Sequence, residues 1–440
     1  MPRCSAGEAM RGLEIITFGC RLNAFESEVI RRAAGAAGLG DAVVVNTCAV
    51  TAEAERQARQ AIRRARRERP YARIIVTGCA ATLAPERYAA LAEVDLVLDN
   101  AAKLRPESYL AGAPTPTLPR LRGRETATAP ALETLPRNLV MEGGGLAEGK
   151  RARAYVQVQQ GCDHRCTFCI IPYARGPSRS VPLAAIVEQA RDLVAGGASE
   201  IVLTGVDLTG YGAELPDRSS LGRMVRDLLA AVPELRRLRL SSLDPSEIDP
   251  DLWDVIGGEK RLMPHLHLSL QAGDDVILKR MKRRHSRAQA IETARRARDL
   301  RPDIMIGADL IAGFPTETEA MFQNSLDLIG ECGLAFLHVF PYSPRPGTPA
   351  ARMPQVDPAA VRERAARLRE AGAAALAAEL ARRVGQSGDV LIERPGRGRA
   401  ECYAEVRFDG AAQAGLAEIG SVRRMRFARA GASHLIGVAA

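Results

Sequence analysis

The stretch YVQVQQGCDHRCTFCIIPYARG, from Tyr155 to Gly176, is the most informative part of this 440-residue chain. It holds three cysteines, Cys162, Cys166 and Cys169, in one short run. Three thiolates this close together suit a four-iron cluster, which needs four ligands and therefore keeps one iron open to a small molecule. A zinc site is the alternative, but zinc modules usually add a second cysteine pair or a histidine pair, and neither is present. His164 lies inside the loop, where it is poorly placed to complete a tetrahedron.

The residues around these cysteines resemble the signature of the radical-SAM methylthiotransferase family. Gly161 precedes the first cysteine, Thr167 and Phe168 separate the last two, and Gly176 follows them. The resemblance implies that the three cysteines are the catalytic cluster ligands and that S-adenosylmethionine binds the open iron. It also implies radical chemistry on an unactivated C–H bond, for which the cofactor supplies the reactivity and the protein supplies the position.

Length and composition are typical of a large enzyme. The length suggests about three domains, and 46% of the residues are hydrophobic. Nine cysteines, an odd number, are unlike a disulfide framework. No run is apolar enough to span a membrane and the N-terminus lacks the apolar segment of a secretory signal, so we expect a cytoplasmic protein without membrane contact. A net charge of +9 favours a polyanionic partner.

The first predicted domain, residues 12–108, alternates apolar runs with helical stretches, the pattern of a doubly wound parallel sheet. Three runs end in cysteine: LEIITFGC at Cys20, DAVVVNTC at Cys48 and ARIIVTGC at Cys79. Parallel strands end at one edge of a sheet, so these thiols can converge although they are far apart in sequence. The alternative is that each cysteine is simply a small buried residue at a strand end, which is common for free cysteine.

The family resemblance extends to these segments. The motifs TFGCRLNAFESE, VVNTCAV and VTGCA are similar to the N-terminal motifs of methylthiotransferases. The resemblance implies a second, auxiliary 4Fe-4S cluster on Cys20, Cys48 and Cys79, which would hold or supply the sulfur that is inserted. The expected cofactors are therefore two 4Fe-4S clusters and S-adenosylmethionine.

A barrel is predicted for the middle of the chain. Residues 109–150 are rich in proline and glycine and read as a linker. Residues 151–356 contain six strand-like runs separated by helical stretches, which favours an open (β/α)6 barrel. The runs are AYVQVQQ, EIVLTG, RLRLSS, HLHLSLQ, IMIGADLIAGF and AFLHVF. Barrel sites lie at the carboxyl ends of strands, and the three-cysteine loop follows the first strand at that end.

Residues that could contact S-adenosylmethionine are expected at the same rim. Gly205 and Asp207 stand, after Thr204, where the family has its second-strand glycine motif, and Gln271 and Gly313 mark two further strand ends. Glycine lets a backbone approach a ligand closely. An ordinary turn explains each glycine equally well.

The C-terminal part is predicted to be a connecting helix, residues 357–383, followed by a small β-barrel, residues 384–440. The position and spacing of this barrel resemble the TRAM module, which implies tRNA binding. Two arginine-rich clusters are candidates for phosphate contact, although a solvated helix face is the alternative for each. They comprise Arg56, Arg59, Arg63, Arg66, Arg67 and Arg69, and Lys279, Arg280, Lys282, Arg283, Arg284 and Arg287.

The predicted function follows from the branch of the family that the motifs resemble. TFGCRLNAFESE, CTFCIIPYARG and HVFPYSPRPGTPA are most similar to the branch that acts on threonylcarbamoyladenosine in tRNA. The resemblance implies methylthiolation of C2 of N6-threonylcarbamoyladenosine, beside the anticodon. The implied partners are a tRNA anticodon stem-loop, a reducing electron donor protein and a sulfur donor. Phe340, Tyr342, Arg345 and Gly347, in the last motif, could shape the substrate side.

Four alternatives remain open on the sequence alone. Sister branches of the family act on isopentenyladenosine in tRNA or on ribosomal protein S12. A radical-SAM enzyme with a single cluster would need only the central cysteines. A non-catalytic, zinc-containing tRNA-binding protein would explain the basic clusters but not the three strand-end cysteines. Cys4, Cys332 and Cys402 fit neither predicted site and are interpreted as packing residues.

Overall fold

The computed structural model describes residues 12–110, 152–408 and 418–440. Most of the predicted linker 109–150 lies outside these residues, as does Cys4. The described chain forms two compact units. The first unit comprises residues 12–110 and 170–176, and the second comprises residues 152–169, 177–408 and 418–440. The segment 170–176, which the sequence analysis places in the barrel domain, thus packs as part of the first unit.

The first unit is built on a four-stranded parallel sheet whose strand order follows the chain. Its strands are β1 (Leu13–Thr17), β2 (Ala42–Thr47), β3 (Arg73–Gly78) and β4 (Leu96–Val97). Its helices are α1 (Arg21–Ala36), α2 (Ala52–Glu68), α3 (Cys79–Leu83), α4 (Pro85–Ala89) and α5 (Ile171–Arg175). Because the order is sequential, the ends of β1, β2 and β3 are neighbours along one edge.

Helices cover both faces of this sheet. Every residue of β2 is buried, and successive strand residues face opposite sides. Val44 belongs to the same apolar cluster as Ile30 of α1, whereas Val43 and Val45 belong to a cluster with Ile62 of α2. The prediction of a parallel sheet between helical layers is confirmed.

The second unit contains an open barrel made of two parallel sheets. One sheet holds β5 (Arg153–Gln157), β8 (Glu200–Thr204) and β9 (Leu238–Leu240). The other holds β10 (Ser242–Leu243), β11 (His265–Gln271), β12 (Met305–Ala312) and β13 (Leu334–Pro341). All six predicted strands are therefore present. The run RLRLSS, predicted as one strand, contributes β9 to the first sheet and β10 to the second, so the barrel is interrupted at Ser241.

Helices and a small hairpin complete the barrel region. The helices are α6 (Leu183–Ala195), α7 (Leu221–Ala231), α8 (Pro250–Gly258), α9 (Asp275–Met281), α10 (Arg287–Leu300) and α11 (Glu319–Glu331). The antiparallel pair β6 (Gln159–Gln160) and β7 (Arg179–Ser180) encloses the cysteine loop. Local signals fix the helix starts: Ser286 and Gln289 form a capping box at α10, which satisfies backbone N–H groups that the helix itself leaves free.

A long helix and a closed barrel end the chain. Helix α12 (Pro358–Arg382) lies where the connecting helix is predicted, but it is not exposed all round, because Gly372 packs against Leu337 of β13. The closed barrel has the strand order β14-β15-β16-β18-β17. Its strands are β14 (Ser387–Arg394), β15 (Arg397–Ala400), β16 (Glu405–Arg407), β17 (Val422–Ala430) and β18 (Leu435–Ala439). The prediction of a small C-terminal β-barrel is confirmed.

Across the described ranges, no helix combines the length and the apolar character needed to cross a bilayer.

Candidate active site

The three-cysteine loop of the second unit leaves the barrel just after β6. Cys162, Cys166 and Cys169 are all half-buried, and the amide of Cys169 donates to the carbonyl of Cys166 at 3.1 Å. Thr167 is buried and fastens the loop to the segment after β11. Its amide donates to the Met281 carbonyl at 3.0 Å, and its hydroxyl donates to the Arg280 carbonyl at 2.8 Å. The loop is therefore held by the barrel rather than by its own contacts alone.

An acidic group stands beside the first cysteine. Asp207 Oδ2 accepts a hydrogen bond from the Cys162 thiol at 3.7 Å and lies 2.8 Å from His164 Nε2. The hydrogen bonds to Asp207 and then Glu247 raise the pKa of His164 to about 10. Burial, followed by the nearby charge of Asp207, raises the pKa of the Cys162 thiol. Loss of the Cys162 proton is therefore favoured only when a cation binds the sulfur.

An arginine with a largely covered side chain contacts the second cysteine. The side chain of Arg283 is 8% exposed, and its Nη1 donates to Cys166 Sγ at 3.7 Å. Its Nη2 donates to Asp244 Oδ2 at 2.8 Å and to the Ser269 carbonyl at 2.7 Å. The prediction that Arg283 belongs to a surface phosphate cluster is therefore wrong. Arg283 thus holds a guanidinium group beside Cys166, with its charge paired to Asp244.

The predicted S-adenosylmethionine residues on the second strand lie beside this loop. Gly205 and Asp207 follow β8, where Gln159 Oε1 accepts the amides of Val206 and Asp207 at 2.9 and 2.8 Å. A Cβ atom at Gly205 would lie 2.9 Å from Gln159 Oε1. The glycine is thus required by this close approach to Gln159. The same contact places Asp207 next to Cys162.

The other two predicted contacts lie at the ends of β11 and β12. Gln271 has a left-handed backbone with φ of 72°. Gly313 has φ of 71°, and a Cβ atom there would lie 2.5 Å from Val361 of α12. Packing against α12 therefore explains this glycine without a ligand.

A cluster of apolar side chains joins these strand ends to the cysteine loop. Phe168 meets Phe314, the residue after Gly313, edge to face with ring centroids 6.4 Å apart. Ala272, which follows Gln271, belongs to the same cluster. Phe340 and Tyr342, predicted to shape the substrate side, pack against it as well. The structure thus brings the ends of β11, β12 and β13 to the loop.

In the first unit, the three predicted cysteines follow neighbouring strands. Cys20 is the N-cap of α1 and is exposed, whereas Cys48 and Cys79 are buried. Burial raises the pKa of Cys48 to about 12, and the neighbouring thiols of Cys79 and Cys20 act in the same direction. Gly19 lies against this group, since a Cβ atom on it would be 2.7 Å from Cys48 Sγ. The thiols are thus close enough to influence one another.

Two buried cations share a single carboxylate beside these cysteines. Glu26 accepts bonds from Arg175 Nη1 and from Lys103 Nζ, each at 2.7 Å. Although burial would raise the pKa of Glu26, Arg175 and then Lys103 outweigh it and lower the pKa to about 2. Asn100 links the group to the thiols, because its amide donates to Cys79 Sγ at 3.8 Å. Two cationic side chains therefore face one carboxylate here, and burial lowers the pKa of one of them, Lys103.

The basic cluster on α2 is largely neutralised. The apolar side of the helix is as predicted, with Ala58, Ala61, Ile62 and Ala65 buried. Its arginines pair with acidic neighbours: Arg56 with Glu53, Arg59 with Glu55, Arg63 with Glu93, and Arg66 with Asp95. Arg69 is buried and pairs with Glu14 and Asp41. The prediction of a phosphate-binding surface is therefore wrong for Arg69 and weakened for the paired arginines.

Four further predicted residues lie in the second unit. Cys332 and Cys402 are buried, and Cys402 belongs to the core of the C-terminal barrel. Arg345 is buried, and Gly347 adopts a positive φ of 89° in the turn after β13.

Each of the two units matches a known protein family. Residues 156–329 match the Radical SAM superfamily, and residues 13–99 match a family described as Uncharacterized protein family UPF0004. The threonylcarbamoyladenosine tRNA methylthiotransferase MtaB of Rickettsia prowazekii is 48% identical over 90% of this chain and 91% of its own length. The tRNA-2-methylthio-N(6)-dimethylallyladenosine synthase of Paracoccus denitrificans is 34% identical over 98% of both chains.

Among solved structures, the fold is similar to the radical S-adenosylmethionine methyltransferase TsrM from Kitasatospora setae. The TM-score is 0.52 at 15% identity, covering 77% of this chain and 75% of that one. At this identity the match supports only a similarity of fold.

Proposed function

Because the chain belongs to the radical-SAM methylthiotransferase family of tRNA-modifying enzymes, we propose that it methylthiolates C2 of N6-threonylcarbamoyladenosine beside the anticodon. Membership of this family supports the general reaction, which is methylthiolation of tRNA with S-adenosylmethionine and a 4Fe-4S cluster. The substrate base, the residues of each site and the second cluster are parts of the proposal.

Cys162, Cys166 and Cys169 would hold the radical-SAM cluster. Three half-buried thiols in one fastened loop fit a cluster that keeps one iron for S-adenosylmethionine. When bound and reduced, the cluster supplies the electron that cleaves S-adenosylmethionine into methionine and a 5′-deoxyadenosyl radical able to take hydrogen from carbon. Arg283 would orient Cys166 by its hydrogen bond to the sulfur. Gly205, Asp207, Gln271 and Gly313 would line the S-adenosylmethionine side of this rim.

Cys20, Cys48 and Cys79 would hold the auxiliary cluster that carries the inserted sulfur. The excess buried positive charge supports this assignment, because Arg175 and Lys103 together exceed the single charge of Glu26. An unpaired charge in a protein interior is costly unless a counter-charge is present. A cluster bound by three thiolates is anionic and would supply that counter-charge. Zinc on the same thiolates would be the alternative, so the metal itself has to be identified.

Each domain predicted from the sequence would have one part of this activity. Residues 12–108 would carry the auxiliary cluster, residues 151–356 the radical chemistry, and residues 384–440 part of the tRNA contact. Arg424 and Arg426 are exposed on β17 of the C-terminal barrel, where they could meet phosphates. A reducing protein would deliver the electron and a separate donor would deliver the sulfur.

The substrate assignment rests on one observation, the difference in sequence identity between this chain and two relatives. The protein named for threonylcarbamoyladenosine shares 48% identity with this chain, and the one named for dimethylallyladenosine shares 34%. Because the second match also covers nearly the whole chain, methylthiolation of dimethylallyladenosine is the second candidate function.

Nucleosides from tRNA test the substrate. A strain that lacks the gene is compared, by mass spectrometry, with the same strain carrying it. We expect the deletion to abolish methylthio-threonylcarbamoyladenosine and to accumulate its unthiolated precursor. Loss of the dimethylallyl product instead would favour the second candidate, and unchanged tRNA would contradict both.

Metal analysis tests the second cluster. The variant with Cys20, Cys48 and Cys79 all replaced by Ala should bind roughly half the iron and acid-labile sulfide of the parent. It should still cleave S-adenosylmethionine but form no methylthio product. An unchanged iron content would contradict an iron cluster at these cysteines, and loss of zinc instead would identify a zinc site.

A further inference from the structure

A histidine pair and an aspartate form a polar cluster inside the barrel and belong to neither cysteine group. His267 lies on β11, Asp309 on β12 and His338 on β13. His267 Nε2 is 2.9 Å and His338 Nδ1 is 3.2 Å from the same atom, Asp309 Oδ1. The two imidazole rings lie side by side, with centroids 4.5 Å apart. We call these three residues the lumen triad.

Strand register brings the triad together. Asp309 and His338 are paired directly across β12 and β13, and His267 is paired with Gly307 across β11 and β12. A Cβ atom at position 307 would lie 2.7 Å from His267 Nδ1, so only glycine leaves room for this ring. The arrangement is therefore built into the sheet rather than left to flexible side chains.

The triad faces the interior of the barrel. Leu337, the neighbour of His338, packs outward against Gly372 of α12. Since successive strand residues point to opposite faces, His338 points inward. Its side chain is nevertheless 56% exposed, which means that solvent reaches the inner face of β13 at this level.

Below the triad, side chains close the barrel. Tyr403 of the C-terminal barrel stacks on His265, with ring centroids 4.6 Å apart, and meets Phe336 edge to face at 6.0 Å. His265 and Phe336 precede His267 and His338 by two residues on the same faces of their strands. This aromatic layer forms the floor of an accessible space.

Above the triad lies the radical-SAM site. Ser269, two residues beyond His267, accepts a hydrogen bond from Arg283, which also contacts Cys166 Sγ. Phe340, two residues beyond His338, packs in the apolar cluster that includes Phe168. Each two-residue step along a strand covers roughly 6.5 Å. The triad therefore lies between the floor and the cysteine loop, where a substrate base would extend.

Two polar atoms of the triad remain available. Both imidazoles contact Oδ1 of Asp309, and no residue in the described ranges makes a hydrogen bond to its Oδ2. Burial alone would raise the pKa of Asp309, but the hydrogen bonds of His267 and then His338 outweigh it and lower the pKa. Asp309 is thus an ionised acceptor. His338 Nε2 likewise has no partner among the described residues.

We propose that the lumen triad binds the polar substituent on the target base and thereby selects threonylcarbamoyladenosine over an isopentenyl-bearing base. This inference rests on the proposed function. The threonylcarbamoyl group offers ureido N–H and hydroxyl donors for Asp309 Oδ2 and for His338 Nε2, which accepts when the Nδ1–H of the ring donates to Asp309. An isopentenyl group offers no such donor, so its entry would leave polar atoms of the triad without water or a partner. Sites built to hydrogen-bond a substrate reject analogues that lack those groups strongly.

The test compares the reconstituted full-length protein with its His338→Phe variant, which keeps a flat ring but loses both ring nitrogens. Three anticodon stem-loop RNAs are used, bearing adenosine, isopentenyladenosine or threonylcarbamoyladenosine. We expect the parent to bind the threonylcarbamoyl RNA more tightly than the adenosine RNA. In the variant this difference should vanish, and kcat/KM on the threonylcarbamoyl RNA should fall roughly tenfold to hundredfold. The iron content of the variant should equal that of the parent, which shows that it folds and holds its clusters.

Two further variants separate recognition from folding. Leu337→Met alters the same strand on its outer face, conserves volume and should behave as the parent. His338→Asn can still donate to Asp309 but lacks the second ring nitrogen, so it should retain only part of the discrimination.

Three outcomes would overturn the proposal. The first is a His338→Phe variant that keeps the discrimination of the parent. The second is one further divalent metal ion per parent chain that His338→Phe does not bind, which would identify the triad as a metal site. The third is a parent that modifies only the isopentenyl RNA, and this outcome alone would also remove the proposed function.

Discussion

At the scale of single residues, the site depends on charged side chains that meet across long sequence separations. Arg283 and Asp244 contact each other beside Cys166, and His164 bridges Asp207 and Glu247 beside Cys162. The sequence predicted the cysteines and Asp207 but not Arg283, because an arginine within a basic run gives no sign of being buried. Only the fold of the segment after α9 shows which member of that run turns inward.

Replacing Arg283 tests its role toward the cluster. Hydrogen bonds to ligand sulfurs raise the reduction potential of a cluster. We expect Arg283→Met to lower the potential by roughly 40 mV, the equivalent of about 1 kcal/mol for one electron, with cluster content retained. Potentiometric titration followed by electron paramagnetic resonance measures this shift. Lys282→Ala, on the exposed neighbour, is the control, and equal potentials in both variants would contradict the assignment.

The raised pKa of His164 predicts a pH-dependent stability. The folded pKa of about 10 exceeds the ordinary value of 6.5, so the protonated imidazole stabilises the fold fully below pH 6.5 and loses this effect as pH rises toward 10. In metal-free protein, the Tm of His164→Gln should therefore lie furthest below that of the parent under pH 6.5. The difference in Tm between the two proteins should shrink as the pH rises, and calorimetry measures it. A gap that is constant with pH would rule out this ion pair.

At the scale of elements, strand ends position both cysteine groups. The prediction from the sequence was good here, because apolar runs ending in cysteine define both the strand and the place where it stops. It was poorer for β9 and β10, where one run serves two sheets. These elements depend on pairing partners that a local pattern cannot reveal.

A glycine exchange tests the element that carries Cys48. Gly19 has φ of +99° and no room for a Cβ atom beside Cys48. We expect Gly19→Ala to displace the thiol and to reduce iron and sulfide to roughly the content of one cluster. Gly35→Ala, in α1 with open space around it, should keep full iron content and gain about 0.4–1 kcal/mol of stability. Iron analysis and thermal melts distinguish the two, and full iron in Gly19→Ala would contradict the proposed ligand set.

At the scale of the whole second unit, one buried carboxylate ties the C-terminal barrel to the β5-β8-β9 sheet. Glu200 on β8 contacts Arg237 at 2.9 Å and Arg239 at 2.8 Å, and it also pairs with Arg153. Arg239 in turn donates to the carbonyls of Glu401 and Ala400. Burial would raise the pKa of Glu200, but Arg239 and the other arginines outweigh it and lower the pKa. No sequence pattern predicted this network, because its members are scattered over three strands and a distant barrel.

Neutralising this carboxylate should weaken the unit. Glu200→Gln leaves the buried guanidinium groups of Arg237 and Arg239 without their counter-charge, which costs about 3–5 kcal/mol. We expect a clear drop in Tm and earlier proteolytic release of the C-terminal barrel. The same exchange at Glu292, in an exposed pair with Arg295, should leave the Tm close to that of the parent, because exposed ion pairs contribute little to stability. Equal effects of the two exchanges would contradict the role given to Glu200.

The proposed activity of this enzyme is the insertion of a methylthio group into threonylcarbamoyladenosine of tRNA. The most direct measurement presents the reconstituted protein with equal amounts of two anticodon stem-loops, one bearing threonylcarbamoyladenosine and one bearing isopentenyladenosine, together with S-adenosylmethionine, sulfide and a reductant. Mass spectrometry then follows both products with time. The proposed activity predicts methylthio product on the threonylcarbamoyl RNA, in large excess over the other. Product on the isopentenyl RNA alone, or on neither RNA in protein with full iron content, would contradict it.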